Sequence, residues 1–178
     1  MRNHKYVINV LSGEGIDDFE EALLDRQQWL KKKSVELLDR LSQEGFQIAS
    51  AGFAAAEYDG SNDAQVSVEN RGNKVRAVVA VGATVLFIEF GTGVFYPDDH
   101  PEMDKSPMSR GTYGKKHGAK PPWEYYGDPG TNGVIMFTRS GREIIKTYGN
   151  PANKPMYEAA KQIRERLPSL VREVFERD

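Results

Sequence analysis

The chain has 178 residues, enough for one domain with a buried core, and its 39% hydrophobic and 28% charged residues leave a polar surface around that core. A net charge of −2 argues against broad binding to nucleic acid or an anionic membrane, and the absence of cysteine excludes disulfides, thiolate metal sites and a cysteine nucleophile. No apolar run approaches the ~20 residues needed to span a bilayer, and residues 1–7 lack a signal-peptide apolar core, so synthesis in the cytoplasm is expected.

In chain order, residues 5–11 read as a short strand, broken by Ser12, Gly13 and Gly15. A long helix is expected over residues 17–44. Asp17 and Glu20 have the spacing of a capping box, and the acidic first turn suits the helix dipole. Ile16, Phe19, Leu23, Leu30, Leu37 and Leu41 form one apolar stripe, and Gly45 is the expected stop. Lys31, Lys32 and Lys33 sit mostly off that stripe, as a solvated face or a patch for DNA or a protein partner.

From 46 to 81 the pattern turns to short β runs: 46–58, the alternating 65–69, turn material at 71–73, and the valine-rich 74–81. An antiparallel meander is expected. Residues 86–90 follow as strand or short helix, a choice that periodicity leaves open over so few residues. Glu89 inside that apolar run requires a partner, either an Arg or Lys or backbone N–H groups, because an unpaired buried charge is costly.

Residues 94–133 hold six of the nine prolines together with Tyr96, Tyr113, Trp123, Tyr125 and Tyr126. A long insertion rich in aromatics reads as an arm that packs on something, and those five rings are the expected oligomer contacts. Strands are expected at 134–138 and 143–147 around a turn at 139–142. Pro155 suits the first turn of a helix whose stripe is Met156, Ala160, Ile163, Leu167, Leu170, Val174 and Phe175. Pro168 predicts a kink or break near 164–167. The expected fold is α+β: a small antiparallel β-sheet flanked by a long N-terminal helix and a C-terminal helix, with a long irregular arm, in one domain over 1–178.

Few groupings suggest reaction chemistry. Asp98, Asp99, His100, Glu102 and Asp104 put four carboxylates and a histidine in one acidic loop, which reads as a solvated loop or a charge-complementary contact and could hold a hard cation, although Pro101 and the lack of a mid-loop glycine match no EF-hand. His4, His100 and His117 have no helical partner spacing for zinc. No G-x-S-x-G elbow exists, and Gly91, Thr92 and Gly93 lack the lysine of a phosphate-binding loop and read as a tight turn. Arg110, Lys115, Lys116 and Lys120 form a basic segment beside aromatics, suited to a partner surface, to a solvated loop or to single-stranded nucleic acid.

Two motifs carry a resemblance. Glu89, Phe90, Gly91 and Thr92 end an apolar run, and Pro151, Pro155, Met156 and Tyr157 open the C-terminal helix, with Met156 where an aromatic is more usual. In this order the chain, from about residue 16 onward, resembles the phage head–tail neck or tail-completion family, which includes minor tail proteins of the Z type. The resemblance implies a non-enzymatic structural virion protein without cofactor or bound metal. Copies would form a ring, hexameric in the expected form, at the head–tail junction. They would contact the head connector or stopper and the tail-tube or tail-terminator proteins, after assembly in the host cytoplasm and away from any membrane. DNA would pass through the lumen without specific binding. The alternatives are a metal-dependent hydrolase using Asp98 to Asp104 and a small nucleic-acid-binding module using Lys115, Lys116 and Lys120.

Overall fold

A computed structural model describes residues 13–58, 60–92, 100–102, 122–127, 129–130 and 133–176. The predicted strand at 5–11 lies outside the described residues. The architecture is α+β, as the sequence pattern predicts, with a long N-terminal helix, a C-terminal helix and small antiparallel sheets.

Helix α1 spans Gly13–Ala54, 42 residues. It is longer at both ends than its sequence signals suggest. Asp17 and Glu20 lie past the first turn and do not form its cap, and Gly45 does not end it. Residues 46–58 are not a strand: Phe46, Ala49 and Phe53 recur at helical steps, and Ala49 and Phe53 are buried. The glycines mark where a second helix comes close. A Cβ on Gly45 would stand 2.5 Å from Ile163 Cδ1, and one on Gly52 would stand 2.8 Å from Pro155 Cβ. Glycine inside a helix costs roughly 0.5–1 kcal/mol relative to alanine, and here it permits helix–helix contact.

That second helix is α3, Pro155–Glu176. It runs antiparallel to α1: Pro155 meets Gly52, Ile163 meets Gly45, and Phe175 meets Trp29 edge-on at 5.7 Å. Helix α1 extends about four further turns beyond Trp29. Helix α3 passes through Pro168 without a break. On its exposed side, Ser169 Oγ donates to the Arg166 carbonyl at 2.8 Å, while Leu170 and Val174 downstream are buried and hold the last turns in line. Leu167, expected in the core stripe, is 40% exposed, in a turn of α3 where Arg164, Glu165, Arg166 and Pro168 are exposed as well.

Among the described residues the strands form two sheets, and the meander expected over 46–81 is reduced to one hairpin. Strands β1 (Gln65–Asn70) and β2 (Arg76–Val81) make an antiparallel hairpin with Gln65 opposite Val81 and Asn70 opposite Arg76. Arg76 pins it to α1 by a 2.6 Å ion pair with Asp39, and its Nη1 also donates to Asn70 Oδ1 and the Gly72 carbonyl across the turn. The second sheet has the order β3–β5–β4, from Trp123–Tyr125, Glu143–Thr147 and Val134–Phe137, all antiparallel. Central strand β5 buries Ile144 and Ile145, whose side chains point to opposite faces. The arm is therefore not irregular throughout, since its last part returns as β3. Between the sheets, residues 86–90 are helical, within α2 (Val85–Phe90).

Candidate functional site

The site is a joint at which three short segments meet at the N-terminus of α3. It begins upstream with Asp63. That carboxylate accepts the Thr84 hydroxyl, the Ala83 N–H at 2.8 Å and the Thr84 N–H at 3.0 Å, and so fixes where α2 starts. The Thr84 hydroxyl bond first, and then the two backbone donors, hold Asp63 below the usual carboxylate pKa.

Helix α2 ends at Gly91, whose φ of 74° lies in the left-handed region. A side chain could not fit there: its Cβ would stand 2.7 Å from the Asn150 carbonyl oxygen and 2.9 Å from the Ala152 nitrogen. The close approach lets two backbones join. Thr92 N–H donates to the Asn150 carbonyl at 2.9 Å, and Asn150 N–H donates to Thr92 Oγ1 at 3.0 Å. Asn153 N–H donates to the Ile88 carbonyl at 2.9 Å. The Asn153 side-chain amide exchanges two 3.0 Å bonds with the backbone of Glu57, which ties in the chain just after α1. Thr92 and Asn150 are both buried, so these bonds form out of water, where a missing partner would be costly.

Glu89 completes the joint. It is 6% exposed, and its carboxylate accepts the N–H of Met156 at 2.8 Å and of Tyr157 at 2.9 Å. A helix leaves its first four N–H groups without intrahelical partners, and here each is accounted for. Lys154 N–H donates to the Glu89 backbone carbonyl at 3.3 Å, Pro155 has no N–H, and Met156 and Tyr157 donate to the Glu89 carboxylate; the first intrahelical bond then runs from Glu158 N–H to the Lys154 carbonyl at 2.9 Å. Glu89 thus acts as an N-cap supplied from another element, with its charge at the positive end of the helix dipole. Of the expected partners for Glu89, the backbone N–H groups are the ones present.

His100 covers the carboxylate from the third side. Its Nδ1 accepts the Glu102 N–H at 3.0 Å, which places the ring proton on Nε2, and Nε2–H donates to Glu89 Oε1 at 3.2 Å. The imidazole lies between Phe90, with ring centroids 4.3 Å apart, and Tyr157, at 5.4 Å. Both nitrogens are engaged and the residue is 4% exposed, so His100 offers no ligand atom outward.

The expected motif residues therefore come together: Glu89, Phe90, Gly91 and Thr92 on one side, Pro155, Met156 and Tyr157 on the other. Sequence reasoning missed His100 and Asn150 as their partners, and Asn153 and Asp63 as the residues that tie down the flanking backbone. The asparagines flanking Pro151 are the one local signal, since Asn side chains readily bond neighbouring backbone. Among the expected oligomer contacts, Tyr126 is exposed, with the Arg142 guanidinium 5.7 Å from its ring, and Tyr125 is half-buried. Trp123 is placed in β3 by its backbone. Tyr96, Tyr113, Asp98, Asp99, Asp104, Arg110, Lys115, Lys116, Lys120, His4 and His117 lie outside the described residues. Among the described residues, no group of three or more histidines and carboxylates is placed to hold a metal ion.

Compared with protein-family models, with curated proteins and with solved structures, the chain shows no match.

Proposed function

We propose that this chain is a structural virion protein of a tailed phage or prophage, a subunit of a ring at the head–tail junction through which DNA passes. One observation carries the reading. The two motifs on which the family resemblance rests, distant in sequence, are the two halves of a single buried joint in which Glu89 caps α3. The carboxylate inside the apolar run is thereby given a mechanical role. Three donors take three of its roughly four acceptor sites, and at 6% exposure the carboxylate is turned to the joint and away from any ligand.

Surfaces suited to self-association support the same reading. In the three-stranded sheet β3 and β4 are the outer strands, so among the described residues the sheet has two edges. Val134, Ile135, Met136 and Phe137 of β4 are each at least 38% exposed, an apolar strand presented at an edge. Two different edges on one subunit suit the head-to-tail contacts from which rings close. A ring of expected hexameric form would contact the connector or stopper on one face and tail proteins on the other.

Light scattering after size exclusion, with negative-stain electron microscopy of the same fraction, tests the proposal. Closed rings with an open channel are expected, and Ile135→Lys with Phe137→Lys should prevent them while leaving the fold intact. Saturable divalent-ion binding with hydrolytic turnover, and no ring at any attainable concentration, would overturn it in favour of the hydrolase. A salt-dependent gel shift lost in Lys115→Glu with Lys116→Glu would favour the nucleic-acid module instead.

A further inference from the structure

The first half of α1 carries an apolar seam, most of which lies beyond the end of α3 at Trp29. Ile16, Phe19, Leu23, Arg26, Leu30 and Lys33 succeed one another at alternating three- and four-residue steps, the a/d spacing of a coiled coil. Ile16, Leu23 and Leu30 on this seam are 49%, 48% and 42% exposed, and Leu24 beside it is 51% exposed. The charges on the same stretch are sharply divided. Residues 14–25 hold six carboxylates and no base, whereas residues 26–33 hold four bases and no carboxylate.

From this seam and this division we infer that α1 pairs with α1 of a second copy, antiparallel, about a two-fold axis between Leu24 and Asp25. That register sets Ile16 opposite Lys33, Phe19 opposite Leu30 and Leu23 opposite Arg26, each an a position against a d position. It lays the acidic stretch of each chain along the basic stretch of the other, so Lys31 and Lys32 face a negative neighbour and not simply solvent. A parallel, in-register pair would align acid with acid and base with base, an arrangement that costs free energy. The long stem of Arg26 can cover the leucines, and its guanidinium already stacks 3.8 Å above the Trp29 ring; Lys33, at the end of the seam, is 12% exposed and lies 4.0 Å from Glu36 of its own helix, so it closes the seam and leaves Arg26 as the charge facing the second copy. Residues of α1 from Trp29 onward are braced by α3, which presents the seam on a stiff support. The inference does not rest on the ring reading: an isologous helix pair and head-to-tail edge contacts use different surfaces.

The chain has no cysteine, so single introduced cysteines report position cleanly. In the antiparallel pair Leu23 lies about 10 Å from its twin and Ile16 about 25 Å from its own. The test is sedimentation velocity of the full chain together with crosslinking of Leu23→Cys and Ile16→Cys by a short bismaleimide. A dimer is expected that weakens with salt, crosslinks at Leu23→Cys and not at Ile16→Cys. Leu23→Asp should raise its dissociation constant about tenfold or more without lowering the melting temperature, because that side chain is half-exposed in the single chain. Lys31→Glu with Lys32→Glu should weaken the pair, and adding Asp17→Lys with Asp18→Lys in the same chain should restore it. Equal crosslinking at both positions, no restoration by the charge swap, or an unchanged association state in Leu23→Asp would overturn the inference. Rings that persist without the Leu23→Cys crosslink would overturn this pairing and leave the ring reading standing. A crosslinked dimer that never closes into rings would do the reverse.

Discussion

The two halves of α1 carry the same kind of apolar stripe and meet different surroundings. Towards its C-terminal end, Gly45, Ala49 and Gly52 present a shallow surface on which α3 lies close, and Ala49 and Phe53 are buried. Towards its N-terminal end, Ile16, Leu23 and Leu30 have the same spacing and remain exposed. Periodicity states which face is apolar. Burial depends on whether the chain folds something back onto that face, and α3 ends level with Trp29. The contrast extends to the carboxylates: Glu89 is buried and spanned by three donors, whereas the acids of α1 from Asp17 to Asp25 lie in solvent.

The sharpest way to break this comparison is at Glu89. Glu89→Ala strands two helix N–H groups and the His100 Nε2–H in a buried space, and should cost about 3–5 kcal/mol in chemical denaturation. Substituting an exposed acid of the same chain, Glu21→Ala, should change stability by no more than about 0.5 kcal/mol. Equal effects of the two would remove the claim that Glu89 is a structural cap.

A second contrast lies within α3. Ile163→Ala removes atoms packed against Gly45 and should cost roughly 2–5 kcal/mol. Leu167→Ala lies on the outward face and should cost about 0.5 kcal/mol or less. Thermal melts that lower both variants alike would place Leu167 in a contact the fold does not contain.

The smallest expected effect is at Asp63, and it is visible in its pH dependence. The folded-state pKa of Asp63 is depressed, so its contribution is fully present above the ordinary carboxylate pKa and is lost as pH falls through the folded value. The melting-temperature gap between wild type and Asp63→Asn should therefore be widest near neutral pH and shrink in acid. A gap that stays constant as pH falls would show that the Thr84 and Ala83 contacts do not depend on the charge.

Much of this was legible in the residues. The alternation at 65–69, the turn at 71–73, the paired strands around 139–142 and the helix opened by Pro155 are local patterns, and the fold contains them. The errors came where tertiary contact overrode a local signal. Gly45 looks like a helix stop until Ile163 is seen against it, and Pro168 looks like a break until Leu170 and Val174 are seen holding the helix beyond it. Glu89 announced its need of a partner. The partners themselves could not be read, because a helix terminus 67 residues away and a histidine in a proline-rich segment leave no periodic trace.

The central claim is that Glu89 fastens the start of α3, so that the two sequence motifs work as one joint. Amide hydrogen exchange at Met156 and Tyr157, followed by NMR in wild type and in Glu89→Gln, tests it most directly. In wild type both amides should be strongly protected despite lying in the first turn of a helix, where N–H groups ordinarily exchange fast. In Glu89→Gln both should exchange about tenfold faster or more, while the buried Ile145 amide in β5 keeps its protection. Weak protection of both amides in wild type, with no change in the variant, would contradict the account.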